Sequence, residues 1–166
     1  MSVEIVKIYK QEVPVLRFIG KKGLDWGAWF KNGWFDILGK SIDENFKKTY
    51  EDWDSYLGMI QHKEGDPFNY SIGMLLPEKA TVPEGFEYHD FPKGTLGVCW
   101  VYGKENEVHG HVDECKKRLE EQGYKIIYDA DGAYRYFERD GCPRFTDPDN
   151  KGNVITDVCF YIDNIE

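Results

Sequence analysis

Apolar and polar positions alternate through most of this chain, and that period of two predicts strands separated by short turns. Residues 3–9 set Val3, Ile5 and Lys7 on one side and Glu4, Val6 and Ile8 on the other. Glu12-Val13-Pro14 interrupts this strand, and residues 15–19 resume extended structure up to a turn at Gly20-Lys21-Lys22-Gly23. The period then changes. Asp25 has the character of an N-cap, and Trp26, Trp29, Phe30, Gly33, Trp34, Ile37 and Leu38 follow at spacings of three and four. That is one apolar helical stripe, with Gly39 as its stop. Residues 41–48 extend the helix or begin a second short one, with Ile42 and Phe46 inward. Strands over 53–60 and 69–76 flank a turn signal, Gly65-Asp66-Pro67. Residues 77–85 form a loop, and a short strand over 86–91 closes at Pro92-Lys93-Gly94.

The second half repeats this plan. A strand over 95–102 ends in Gly103-Lys104, and Asn106 caps a helix whose inner stripe is Val108, Val112, Cys115 and Leu119, stopped by Gly123. A Tyr-rich stretch (124–137), a polar loop (138–153) and a final strand (155–162) follow. The order strand, helix, strands thus occurs twice, and the run from a strand into Gly-Lys and a helix is echoed between 15–21 and 96–104. The expectation is an α+β fold. Two βαβββ-like pseudo-repeats, about 3–91 and 92–163, form a concave antiparallel sheet with helices packed on it, all within one domain over 1–166.

Composition narrows the function. The net charge of −9 argues against nucleic-acid binding, which needs a basic face, and suits plain solubility, a cationic ligand or a basic partner. No apolar run approaches a membrane span, and Met1-Ser2-Val3-Glu4-Ile5 lacks a signal peptide, so the cytoplasm is the expected location. Cys99, Cys115, Cys142 and Cys159 form no Cys-x-x-Cys pair, which points to free thiols rather than disulfides or zinc. His111 and Cys115 stand one helical turn apart, and Asp147-Pro148-Asp149-Asn150-Lys151-Gly152 resembles a fragment of a calcium loop. Two ligands make no metal site and the calcium spacing is incomplete, so neither metal nor cofactor is expected. Phosphate-loop, nucleophile-elbow and His-Glu-x-x-His motifs are absent.

Aromatic side chains are abundant, with five Trp, eleven Tyr and ten Phe, more than a core of this size needs. The last strand, Ile155-Thr156-Asp157-Val158-Cys159-Phe160-Tyr161-Ile162, carries one carboxylate among apolar residues. Asp157 either faces water or faces a cavity, and rings around a buried acid would hold a lipophilic cation. Candidate ligand-binding residues are Asp157 and, on its face, Tyr161; Trp100 and Tyr102 on one strand face; Tyr70; Trp34 at the edge of the helical stripe; and Glu138 as a second acid. For each, the alternative is an ordinary place in the core or on the surface.

Four segments carry a resemblance to a known family. Pro14-Val15-Leu16-Arg17-Phe18-Ile19-Gly20 is similar to the opening of the GyrI-like small-molecule-binding domains, the effector-binding domains of AraC-type and MerR-type multidrug regulators. Tyr70-Ser71-Ile72-Gly73-Met74 is similar to their middle strand, Phe91-Pro92-Lys93-Gly94-Thr95 to the entry to their second half, and Thr156-Asp157-Val158-Cys159-Phe160-Tyr161-Ile162 to their last strand. The resemblance spans about residues 3–163. Asp157 stands where the family usually has a pocket Glu, and Asp163 where it has Pro. No DNA-binding segment precedes residue 3, so a stand-alone copy is expected.

The resemblance implies binding of an amphipathic, cationic or aromatic small molecule, for ligand sensing through a partner protein or for drug sequestration. Binding without turnover is the first reading. A hydrolase of reactive cyclopropane-type compounds is the alternative, with Asp157 or Glu138 as general acid/base and an assisting Tyr. An acidic protein-interaction module that inhibits a DNA-acting enzyme is third, on the clusters Glu51-Asp52-Trp53-Asp54 and Glu120-Glu121. A small molecule is the expected partner, with a protein as a further candidate; nucleic acid and membrane are not expected.

Overall fold

In the computed structural model, which describes residues 3–163, the alternating segments join into one antiparallel sheet. Its strands are β1 (Glu4–Val13), β2 (Leu16–Lys22), β3 (Ser55–His62), β4 (Asn69–Pro77), β5 (Glu87–Phe91), β6 (Gly94–Lys104), β7 (Lys125–Ile126), β8 (Tyr134–Gly141) and β9 (Asn153–Asp163). The spatial order is β1-β6-β9-β8-β3-β4-β2-β5, with the short β7 paired to β9. This order reads the same from both ends when β1, β2, β3 and β4 are exchanged with β5, β6, β8 and β9. The β3–β8 ladder lies at its centre, with Gly58 opposite Glu138 and Tyr56 opposite Asp140.

The single helical stripe after Asp25 is two helices, α1 (Trp26–Lys31) and α2 (Trp34–Gly39). Gly33, at φ +66°, breaks them apart in a conformation that other residues rarely adopt. The Asp25 carboxylate caps α1 by accepting from the Ala28 N–H at 3.0 Å. Asp43 does the same for α3 (Glu44–Thr49), accepting from Phe46 at 2.8 Å. The fourth helix, α4 (Val112–Glu121), starts after His111 rather than at Asn106. Glu107 and Val108 both donate to the Lys104 carbonyl, so the chain turns before it winds into the helix. Gly123, at φ +88°, lies just past its end.

The sheet is covered on both faces. On one, α1 and α2 seat Trp29, Phe35 and Leu38 over Ile19, Ile72 and Leu76. On that same face, beyond the centre of the sheet, α4 seats Val112, Cys115 and Leu119 over Cys99, Val101 and Val158. Each large side chain buried this way contributes roughly 1.5–3 kcal/mol. On the opposite face α3 places Phe46 and Tyr50 against Leu57, Phe137 and Cys159. Two helical layers on one face leave the middle of the sheet between them less covered.

The expected polar loop over 138–153 is wrong at its start. Residues 138–141 belong to β8, and Glu138, Arg139 and Asp140 are all buried. Charge made the segment look like a loop, but each charged group has a partner inside the fold. Glu138 accepts from Gly110, Arg139 donates to Asp157, and Asp140 accepts from Thr156.

Candidate functional site: a groove between two helical layers

Strand β8 decides what the two faces of the sheet carry. Side chains alternate, so Tyr134, Tyr136, Glu138 and Asp140 point to the face of α1, α2 and α4, while Phe137 and Arg139 point to the face of α3. Opposite Glu138, Gly58 offers no side chain, and the Tyr70 phenol fills that space. A Cβ at position 58 would lie 2.5 Å from its hydroxyl oxygen. Tyr70 touches both the α1/α2 and the α4 clusters, and so bridges the two layers.

A cavity of about 500 Å³ opens between those layers. Trp26 and Phe30 of α1 and Tyr56 of β3 form one wall; Glu105, His109, Phe145 and Thr146 form the other, with Asp140 between. The rings brace one another: Phe30 meets Tyr56 at 5.2 Å and His109 meets Phe145 at 5.6 Å between centroids. Glu138 lies two residues along β8 on the same face, and its Oε2 accepts from the Gly110 N–H at 2.8 Å. His109 Nε2 and Asp140 Oδ1 are 2.9 Å apart, and the Thr156 hydroxyl donates to the same oxygen at 2.7 Å.

The electrostatics follow from burial in acidic company. Burial, then the charge of Asp140, pushes the Glu138 carboxyl above its ordinary 4.5, against the Gly110 N–H and His109. Burial also raises the phenols of Tyr70 and Tyr136, with Glu138 the next contributor for both. For His109, burial favours the neutral ring, but the hydrogen bond and charge of Asp140, with Glu138 and Glu105, outweigh it and raise the pKa. Among the described residues, neither Glu138 nor Asp140 forms an ion pair with a lysine or arginine.

Asp157 was expected at the centre of a groove, and the structure puts it elsewhere. It is fully buried on the α3 face, between two guanidinium groups. Arg139 Nε donates to its Oδ2 at 2.8 Å, and Arg144 donates through Nε at 3.0 Å and Nη2 at 2.5 Å. Asp52 completes a set of two acids and two bases, 3.2 Å from Arg139 and 2.8 Å from Arg144. Burial would raise the Asp52 carboxyl, but the two arginines and Gln11 pull it below 3.8. The strand pattern offered Asp157 only water or a cavity; a buried ion pair is the third choice, and it prevails here.

The other candidates divide between the faces. Tyr70 and Glu138 share the groove face. Trp100 lies on the Asp157 face and is already occupied: Lys7 Nζ is 4.6 Å and the Arg144 guanidinium 4.9 Å from its ring, and its indole donates to the Tyr9 hydroxyl at 3.1 Å. The phenol of Tyr102 donates to the Asp149 carboxylate on the surface. Tyr161 stacks on Phe91 at 5.3 Å in the core behind α3, its hydroxyl buried without a hydrogen-bond partner. Trp34 packs edge-on against Trp29 and under Lys21, away from the groove.

A somewhat larger cavity, about 580 Å³, adjoins Trp100, but Lys7, Lys10, Lys48 and Arg144 line it beside acids that include the arginine-paired Asp52. It suits an organic cation less well than the groove does. Sequence reasoning missed Trp26, Phe30, Tyr56, His109, Asp140 and Phe145 as site residues. The alternation Tyr134, Tyr136, Glu138, Asp140 was the available signal.

The strand order and the helices on it match solved structures. SAV2435 bound to tetraphenylphosphonium superposes with a TM-score of 0.65, at 13% identity, over 96% of this chain and 95% of that one. EcmrR in its DNA complex gives 0.59 at 10% identity, over 96% of this chain and 58% of EcmrR. The chain shares its fold with these proteins, as the resemblance to GyrI-like domains led one to expect. It spans less than two thirds of the EcmrR chain. A hydrolase from Listeria innocua shares the fold more distantly, with a TM-score of 0.51 at 14% identity over 95% of this chain and 92% of that one. No family model and no curated protein sequence matches the chain. Among the described residues no helix is long and apolar enough to cross a membrane.

Proposed function

We propose that the groove binds an amphipathic organic cation, and that the protein serves ligand sensing or drug sequestration. One observation carries this reading. The aromatic cavity between α1 and the segment before α4 holds Asp140 and adjoins Glu138, and among the described residues the basic groups acting on them include histidines but no ion-paired lysine or arginine. Rings supply stacking and the acids supply charge, each good cation–ring contact contributing about 0.5–2 kcal/mol. A volume of about 500 Å³ suits a drug-sized molecule. That SAV2435 holds tetraphenylphosphonium on the same fold supports the choice of probe. The halves about 3–91 and 92–163 meet at β3 and β8, under the groove.

The test is calorimetric titration of wild type and Glu138→Gln with tetraphenylphosphonium and with neutral triphenylphosphine oxide. Saturable binding of the cation, weaker binding of the neutral compound and a roughly tenfold or greater loss in the variant, about 1.4 kcal/mol, are expected. Equal affinity for both compounds contradicts the charge role. A second reading is turnover. Glu138, with a raised pKa and the Tyr70 hydroxyl held over the neighbouring Gly58, has the makings of an acid/base pair. Product formation from a bound reactive ligand, abolished in Glu138→Gln, would favour it.

A further inference from the structure

His109 occupies an unusual place in the groove. It is a base set among three acids: Asp140, in direct contact at 2.9 Å; Glu138, held by the next residue's N–H at 2.8 Å; and Glu105, on the same wall of the cavity. The groups facing it from other elements are these acids of β8 and the loop before α4, His111 in that loop, the neutral Thr156 of β9 and the uncharged rings of Trp26, Phe30, Tyr56 and Phe145. The His109 side chain is 36% exposed whereas that of Asp140 is 6% exposed, and both line the cavity, so a cation drawn to Asp140 competes with the imidazole for its carboxylate.

We infer that His109 is the resident counter-cation of the groove, and that an organic cation binds by displacing its proton. This rests on the cation-binding reading above. In the free protein, protonated His109 balances Asp140 and lies close to Glu138. The bound cation supplies the same charge, the imidazole becomes neutral, and its proton passes to the buffer. One positive charge enters and one leaves, so the groove keeps its balance without burying a second cation. The exchange sets specificity: a neutral aromatic molecule gains nothing from it, whereas a cation is favoured increasingly as the pH rises.

The sign follows by linkage. His109 sits above its ordinary 6.5 in the free protein, and the cation favours the neutral ring. Affinity therefore rises with pH, by up to about tenfold per unit, and levels off once His109 is neutral in the free state. Below that range protonation of Glu138 lowers affinity further, because its pKa is also raised.

The experiment is calorimetric titration of the whole chain with tetraphenylphosphonium at pH 7, in phosphate and in Tris, whose ionisation enthalpies differ. The difference in heat counts the protons released. A measurable release, of up to one proton per cation, is expected in wild type, and none with triphenylphosphine oxide. His109→Gln should release none, bind several-fold more tightly than wild type at pH 6, and show a flat profile from pH 6 to 8. Equal heats in the two buffers for wild type would overturn the inference and leave cation binding standing. Release that persists in His109→Gln would move the exchange to another group and overturn the assignment. No binding of tetraphenylphosphonium to wild type would remove the binding reading itself. The wild-type buffer comparison decides even if the variant folds poorly.

Discussion

Asp157→Asn separates the two faces of the sheet. The substitution keeps the shape of the side chain and removes its charge. Arg139, fully buried, then loses the carboxylate at 2.8 Å, and Arg144 loses one that it meets through two nitrogens. Two guanidinium groups remain on one acid, Asp52. Arg144 is 19% exposed and can turn partly to water, but Arg139 has no access to solvent. Removing one partner of a buried ion pair typically costs about 3–5 kcal/mol. The retained amide oxygen can still accept one hydrogen bond, so the lower half of that range applies, from a total stability of about 5–15 kcal/mol. For a chain of this length the melting temperature should fall by roughly 10 °C. The assay is urea unfolding with thermal scans, alongside titration with tetraphenylphosphonium under conditions where the variant is folded. Lost stability with retained binding is expected. A variant within about 1 kcal/mol of wild type, or a stable one that no longer binds the cation, would refute the assignment of Asp157 to structure rather than to the groove.

Three further outcomes follow from the same geometry. Gly58→Ala places a methyl 2.5 Å from the Tyr70 hydroxyl oxygen, so the phenol must move; a loss of about 1–3 kcal/mol with altered cation affinity is expected in unfolding and titration experiments. Gly20 and Gly73 face each other across β2 and β4, and a Cβ on either would collide with the carbonyl oxygen of Ile72 or Ile19; Gly73→Ala should cost about 3 kcal/mol in urea unfolding. Asp52 is depressed in the folded state, so the stability it contributes is complete above its ordinary 3.8 and fades as the pH falls through the lower folded value. The urea midpoint of wild type should therefore drop below about pH 4, and more steeply than that of Asp52→Asn.

Much of this fold can be read from pattern alone. Strands β3, β4, β6 and β9 are long apolar or alternating runs bounded by turn residues, so their period is unambiguous. Both the halving of the first helix and the late start of α4 depend on local backbone. Gly33 adopts a positive φ inside what reads as a continuous stripe, and Val108 is buried before the helix begins. Strand β8 was hidden because polarity usually marks a loop. Here Glu138, Arg139 and Asp140 are each satisfied by a group far away in sequence: Gly110, Asp157 and Thr156. No window of neighbouring residues contains those partners.

The same limit applies to Asp157. It reads as a carboxylate in a strand and Glu138 as an acid at the head of a polar stretch, and only the three-dimensional position of Arg139 and Arg144 shows that Asp157 is ion-paired. Tyr70 and Glu138 were legible as candidates. Their convergence with Trp26, Tyr56 and His109 was not, because β3, β4 and β8 become neighbours only when the sheet closes across its centre.

The most direct measurement is a crystal structure of the protein soaked with tetraphenylarsonium, whose arsenic marks its own position by anomalous scattering. The account predicts a peak between Trp26, Phe30, Tyr56 and Phe145, within a few ångströms of Asp140 and on the Glu138 face of the sheet. A peak beside Trp100 and the Asp157–Arg144 pair, or none in the groove at saturating ligand, would contradict it.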